Sequence, residues 1–470
     1  MADHMQRVSA LDWQFLSIED KSQTHMHIGS AMTFDGPPPL AADLREFIGS
    51  RIHLAPRFRQ KLAFQAIEAA GKPSWVDDPA FDIANHVQAA ALPRPGSEKE
   101  LNDFIGEAFS TRLDRNAPLW RIWFVEGLAD DQWALVTKMH HTMVDGLGAI
   151  DLFAALLDLG PEPREVEPDT SQPQAAPSKT DLLRAQARRN VETAKGLAGG
   201  LRSIISNPGE AGPKILDVAK GMKETAEAAL PLPPSTMLNV ETGPKRGYAA
   251  TVMPLEEFKE IRRALGGTIN DVVLEVAGDA LGRYLRDHGM DTTDVDLRAE
   301  IPSAVRTDAT QGADQGNVFV VLVVQLPVGD MPAATRHAVI ADRMKSMKES
   351  GVATGVSTVL SATNFLAPTI LAQTTRLFFS KILFNLLISN VPGAQIPVYM
   401  YGSQMLTLMP LPWVGPQQAL SVAVISYNGQ MTFGIMVDRE VVTDLDVFIG
   451  HLRDAEADLL AAARAKAEAS

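Results

Sequence analysis

The segment from Pro161 to Pro234 limits the fold of this chain more than any other. It opens PEPREVEPDTSQPQAAPSK, a run of prolines, acids and small polar residues that has too little apolar surface to build a core. A 470-residue chain interrupted there near its middle closes one hydrophobic core before the break and another after it. Within the break, apolar and basic positions recur at helical spacing from Thr180 to Leu201, until Pro208 and Pro213 interrupt them. A second helical piece, Lys214 to Leu230, ends at PLPP. The pattern predicts a first domain over residues 1–160, a partly helical crossover over 161–240 and a second domain over 241–470.

Both halves mix extended and helical periodicity, which places the chain in the α/β class. In the first half, HMHIGSAMTF predicts a strand, and LAADLREFIGSRI and SEKELNDFIGEAFSTRL predict helices. WRIWFVEGL and WALVTKM predict a hairpin about ADDQ, followed by the apolar helix AIDLFAALLDLG. In the second half, GYAATVMPL is extended and LEEFKEIRRAL helical, and NDVVLEVAGDALGRYLRD is a longer helix with Thr268 or Asn270 as N-cap. NVFVVLVVQLP is a continuous β-branched run, which predicts a strand buried on both faces. SVAVISYNGQMTFGIMVD predicts a hairpin about Asn428 and Gly429, and an alanine-rich helix closes the chain. The halves share no sequence repeat.

The chemistry concentrates in HHTMVDG, His140 to Gly146, directly after the predicted strand WALVTKM. An imidazole titrates near neutral pH, so a histidine at a strand end with a carboxylate four residues on suits proton abstraction from a hydroxyl. His141 and Asp145 would share a face if the segment were helical and so offer two metal ligands. Gly146 and Gly148 argue for a loop, and the remaining histidines cluster only at His25 and His27, so no metal is expected. The chain has no cysteine, which removes thiolate nucleophiles and disulfides and suits a reducing cytoplasm. A net charge of −14 disfavours general nucleic-acid binding. The N-terminus carries no signal-peptide pattern. The most apolar stretch, Phe365 to Ile388, is interrupted by Pro368, Arg376 and Lys381 and does not read as a spanning helix.

Several short strings, in order along nearly the whole chain, give the sequence a family resemblance. They are ALDWQFLSIED, HMHIGS, LDRNAPLW, HHTMVDG, TINDVVL, IPSAVR, QGN, SNVPG and SYNG. Each is weak alone, but their joint order resembles the bacterial wax ester synthase/acyl-CoA:diacylglycerol acyltransferase family, within the CoA-dependent acyltransferases that carry HHxxxDG. The resemblance implies two chloramphenicol acetyltransferase-like domains, each a mixed sheet with helices, bridged by a crossover, with a tunnel between them. It implies transfer of a long-chain acyl group from acyl-CoA, as co-substrate and without a cofactor, to diacylglycerol or a long-chain alcohol. Peripheral contact with a membrane or lipid-droplet surface is expected with such substrates. Another hydroxyl or amine acceptor, and a non-catalytic lipid-binding scaffold, are the alternatives.

Under that resemblance His141 is the general base, and no covalent acyl-enzyme is required, because the thioester is already activated. His140 orients the neighbouring strand end or takes part in catalysis. Asp145 either bonds the imidazole or braces the loop through an arginine. Gly146 allows a tight turn or close approach of substrate. Asn270 either stabilises the oxyanion from a helix N-terminus or caps that helix. Asp271 organises the site, and Arg306, Lys245 and Arg246 either reach the phosphates of CoA or are solvated charges. Pro118 and Trp120 pack beside the motif, and the apolar run from Phe365 is core or acyl-chain cover.

Overall fold

The computed structural model describes residues 6, 8–64, 73–143, 148–170, 180, 233–304, 319–349 and 384–469. Apart from Thr180, the two helices expected in the crossover lie outside these residues, as do Asp145, Gly146, Arg306, the QGN string and the apolar run up to residue 383.

In the first half the strands are β1 (His27–Phe34), β2 (Gln60–Ala63), β3 (Ser74–Asp77), β4 (Val87–Ala91), β5 (Trp120–Glu126) and β6 (Trp133–His140). The helices there are α1 (Ala10–Lys21), α2 (Ala41–Arg51), α3 (Ile83–His86), α4 (Glu98–Phe109) and α5 (Gly148–Leu156). The second half contributes β7 (Arg246–Pro254), β8 (Asp296–Ala304), β9 (Phe319–Pro327), β10 (Leu386–Pro392), β11 (Tyr399–Met400), β12 (Ser403–Leu411), β13 (Leu420–Tyr427) and β14 (Gln430–Asp438). Its helices are α6 (Leu255–Leu265), α7 (Ile269–Asp287), α8 (Ala333–Glu349) and α9 (Leu445–Glu468).

Among the described residues the strands form two six-stranded sheets, in the orders β11-β12-β1-β6-β5-β4 and β7-β14-β13-β10-β8-β9, and a two-stranded sheet of β2 and β3. Both six-stranded sheets are mixed: β4 and β5 are parallel in the first, and β10 is parallel to β13 and β8 in the second. The hairpins form where their turn residues predict them. Asp130 and Asp131 (φ 58° and 54°) join β5 to β6, and Asn428 and Gly429 (φ 44° and 82°) join β13 to β14. Positive φ at both central residues gives the turn twist that matches paired strands.

One expectation for the second half changes. The run NVFVVLVVQLP forms β9, but at the edge of its sheet, where Leu322, Val324 and Leu326 are buried and Gln325 is exposed. Among the described residues the helix-side core takes Leu322, Val324 and Leu326, the residues of one face, so an almost uninterrupted apolar sequence is buried there chiefly on one side. A β-branched run reports strand propensity more directly than it reports two-sided burial.

The segment 399–411 belongs to the second half in sequence, yet β12 pairs antiparallel with β1, from Gly29 opposite Leu411 to Met32 opposite Leu408. It completes the first sheet beside the strand that also carries the register of β6. The seam between the halves is closed by Ala31, Ile105, Phe109 and Val136 against Tyr248, Met409, Leu411 and Met436. At this seam β14 meets β12 so closely that a Cβ on Gly434 would lie 2.0 Å from the carbonyl oxygen of Pro410. Gly434→Ala is therefore expected to cost about 1–3 kcal/mol in urea unfolding. Gly450→Ala, inside α9 with nothing near the added methyl, should stabilise by about 1 kcal/mol. Equal effects from the two would contradict a tight seam.

Candidate active site

Strand β6 is buried along its whole length and ends at His140, and His141 opens a single 3-10 turn that runs to Met143. The backbone is pinned on both sides of the pair: His140 N–H donates to the Leu119 carbonyl (2.9 Å) and His141 N–H to that of Met26 (2.8 Å). The two side chains then diverge, since successive residues of a strand face opposite ways.

His140 points into a buried polar cluster. Its Nδ1 accepts from the backbone N–H of Thr142 (3.2 Å) and lies 2.9 Å from the Thr142 hydroxyl. That assignment puts the ring proton on Nε2, facing Glu19 Oε2 at 3.6 Å. Glu19 Oε2 accepts from Arg115 Nη2 (2.7 Å) and Nε (3.2 Å), and Oε1 lies 3.4 Å from His27 Nε2. Burial pushes the Glu19 carboxyl up, but His140 and Arg115 together hold it down at about 2, so it is ionised. Burial pushes the His140 imidazole down, with Glu19 opposing. His140 is thus a fixed hydrogen-bonding post for the strand end.

His141 faces the other way. Its ring lies 4.2 Å from that of Phe15 at 40°, and Phe15 clusters with Ile18 and Met26 of the first half and Leu387 and Trp413 of the second. Burial, then the neighbouring His140, press its imidazole down to about 4, so it is a neutral base at pH 7. Nδ1 is sealed with no hydrogen-bond partner among the described residues. Nε2 is therefore the nitrogen left to exchange a proton. The base sits where the halves meet.

His25 and His27 stand behind this pair as buried, neutral rings. Burial holds His25 at about 3, aided by the nearby Arg246 and Lys138, and holds His27 well below its ordinary value. Lys138 is buried too, capping the end of α4 through the carbonyls of Ala108 (2.8 Å) and Thr111.

The other predicted positions fall in three places. Thr268 is the N-cap of α7, and Asp271 completes the capping box by accepting from Thr268 N–H (2.8 Å). Asn270 is left free of capping, and its Oδ1 accepts from Asn390 Nδ2 (3.3 Å), which joins the ND string to SNVPG. Asn390 extends from the face of β10 that carries Leu386 and Ile388, whereas Leu387, on the opposite face, packs toward Phe15. The described contacts therefore link Asn270 to the helix side of the second sheet and do not join it to His141. Lys245 is exposed, while Arg246 is folded inward with Nη1 on the Gly243 carbonyl (2.6 Å), so the two do not act as one cationic pair. Trp120 is core, its indole donating to the Phe58 carbonyl (2.7 Å).

Sequence reasoning did not single out Glu19 or Arg115. The available signal is on α1, where Asp12, Phe15 and Glu19 share one buried face, so acids sit in an apolar stripe. Such acids need partners. Here Arg115, from LDRNAPLW, meets Glu19, from ALDWQFLSIED, beneath the HH pair.

Two mixed sheets joined by a strand exchange, with an HH pair at the seam, define a two-domain acyltransferase of the chloramphenicol acetyltransferase-like class. The model of the wax ester synthase/diacylglycerol acyltransferase catalytic domain matches residues 8–273, and that of the family's C-terminal domain matches residues 315–459. The chain belongs to this family. It is 30% identical over 462 residues to the Mycobacterium tuberculosis protein named "Probable diacyglycerol O-acyltransferase tgs1", covering 97% of this chain and 96% of that one. It is 31% identical over 468 residues to the "tgs2" protein of the same species, covering 95% and 97%. The structure is similar to that of the wax ester synthase/diacylglycerol acyltransferase from Marinobacter aquaeolei VT8, with a TM-score of 0.69 at 25% identity over 98% of this chain and 100% of that one. A starter condensation domain of rhizomide synthetase shares the fold, with a TM-score of 0.58 at 14% identity over 98% and 94% of the two chains. Among the described residues no helix is long and apolar enough to cross a membrane.

Proposed function

We propose that the chain transfers a long-chain acyl group from acyl-CoA to the free hydroxyl of diacylglycerol, of a long-chain alcohol, or of both, with His141 as general base and no cofactor beyond the co-substrate. The observation that carries this is the placement of His141: a neutral imidazole at the seam, with Nδ1 sealed and Nε2 available. Nε2 takes the hydroxyl proton as the oxygen attacks the thioester carbon. The tetrahedral oxyanion collapses, the C–S bond breaks, and the thiolate of CoA leaves with the proton from Nε2. Transfer is direct, because the thioester is already activated. Asp145 and Gly146, next in the motif, are the residues proposed to support the base. Asn270 bonds Asn390 on the helix side of the second sheet and so supports the fold beside the site rather than meeting the oxyanion, and Asp271 fixes the helix start. Arg306 and Lys245 are the cations proposed for the CoA phosphates, with Arg246 lining the approach from within. Acyl acceptors of this kind are nearly insoluble, so the protein works in peripheral contact with a membrane or lipid droplet.

The test is incubation with palmitoyl-CoA and either dioleoylglycerol or hexadecanol, following thiol release and neutral lipid. Matched appearance of free CoA and triacylglycerol or wax ester is the expected result, and the ratio of the two products ranks the acceptors. Turnover of neither acceptor would overturn the proposal.

A further inference from the structure

The face of the second sheet that is turned toward the first half carries polar groups with no hydrogen-bond partner among the described residues. Leu387 on β10 pairs on one side with Glu300 of β8 and on the other with Ser421 of β13. Residues paired directly across a sheet point to the same face. Which face this is follows from the neighbours. Ala299, Leu386, Leu420 and Val437 join the core under the helices, whereas Leu387 packs with Phe15 and Met26, and Met436, opposite Ser421, packs with Ala31 and Val136. Glu300 and Ser421 therefore flank Leu387 on the side where Phe15 touches His141.

Glu300 is 5% exposed and Ser421 fully buried, and neither Glu300 Oε2 nor Ser421 Oγ has a hydrogen-bond partner among the described residues. Buried polar atoms without a partner leave hydrogen-bonding capacity that a bound group can complete. Burial pushes the Glu300 carboxyl up to about 8, so at neutral pH it is an uncharged acid. Such a group is a hydrogen-bond donor, as is the serine hydroxyl. Two neutral donors beside an apolar residue suit an uncharged carbonyl within a lipid-like molecule, and repel neither an ester nor an amide.

We infer that Glu300 and Ser421 form a carbonyl-binding ledge on the sheet face turned toward the first half, which holds an uncharged carbonyl of a substrate while His141 acts on the hydroxyl. The inference rests on the acyl-transfer proposal above. Two sources supply that chemistry: the ester groups of a glyceride acceptor, and the amides of the pantetheine arm of CoA. A fatty alcohol has no such group beyond its reacting hydroxyl, so a ledge that holds the acceptor favours diacylglycerol.

The experiment is steady-state kinetics of the full chain with palmitoyl-CoA and dioleoylglycerol or hexadecanol, for Glu300→Leu, Glu300→Gln and Ser421→Ala. If the ledge holds the glyceride, Glu300→Leu lowers kcat/KM for dioleoylglycerol by about 10- to 100-fold and leaves hexadecanol within about 3-fold. Glu300→Gln, which keeps a donor, restores most of the loss, and Ser421→Ala shifts the preference the same way. If it holds pantetheine, the KM for palmitoyl-CoA rises by the same factor with both acceptors. Binding constants unchanged in all three variants, or an equal fall in kcat alone with both acceptors, would overturn the ledge while leaving acyl transfer intact. Ser421→Ala, the smallest change, keeps the test open if Glu300→Leu does not fold. A wild-type protein inactive on both acceptors would overturn the underlying function and the ledge together.

Discussion

His141→Ala is expected to lower kcat by about 10²- to 10⁴-fold, with the KM for palmitoyl-CoA little changed. Among the described residues the ring packs on Phe15 and its own backbone N–H holds Met26, so truncation removes the base and leaves the turn in place. The pH profile provides the second readout. An ordinary histidine loses half its basic form near pH 6.5. An imidazole held at about 4 stays basic, so the wild-type rate should be level between pH 8 and pH 6, measured within seconds of a pH jump. His140→Ala should behave otherwise, because it removes the partner of Glu19 and Thr142 and thereby loosens the strand end. Its loss should appear as lowered stability together with lowered rate. Near-wild-type turnover in His141→Ala would move the base elsewhere.

The histidines that the fold keeps neutral are expected to withdraw stability from about pH 6.5 downward, at up to about 1.4 kcal/mol per pH unit each, against an opposite gain from Glu300, Glu275 and Glu456, whose carboxyls burial holds up at about 8, 8 and 7. The sign follows from proton uptake. His25, His27 and His141 have folded-state values below the ordinary 6.5, so below that pH the unfolded chain binds protons that the folded chain does not. Their contribution is whole above pH 6.5 and shrinks until each folded-state value is reached, about 4 for His141 and about 3 for His25. Glu19 adds nothing to the loss until the pH falls below 4.5, after which its stabilisation fades toward about 2. Urea midpoints measured from pH 8 to pH 5 check this. His25→Gln removes one histidine's share, so between pH 6.5 and pH 5 its midpoint should fall less, or rise more, than that of the wild type, and an identical slope would contradict a buried neutral His25.

What the sequence disclosed was local. ADDQ and Asn428-Gly429 specify their turns through residues that accept positive φ, and both hairpins form about them. The helix LEEFKEIRRAL, Leu255–Leu265, forms where its apolar spacing places it. What it concealed depends on distant partners. Nothing in SQMLTLMPL says that it will leave its own half to pair with β1, since strand alternation names a face and not a neighbour. Glu19 was hidden for the same reason: a carboxylate on a helix becomes part of a site only when Arg115 and His140 arrive from 96 and 121 residues away. The HH pair itself was legible, yet the division of labour between its two rings needed the strand end, the Thr142 bond and the Phe15 contact.

The pairing of β12 with β1 also sets the order in which a nascent chain can finish folding. Domains form as units while the ribosome is still delivering chain, at about 5–20 residues per second. The first half emerges with β1 open on one side, because its neighbour there lies at Ser403–Leu411. An open strand edge is a template for pairing with other chains. Until that late segment arrives, the half that carries the histidines waits with an adhesive border, which makes holdase chaperones natural company for this protein during synthesis. A fragment ending before Ser403 should accumulate as aggregate.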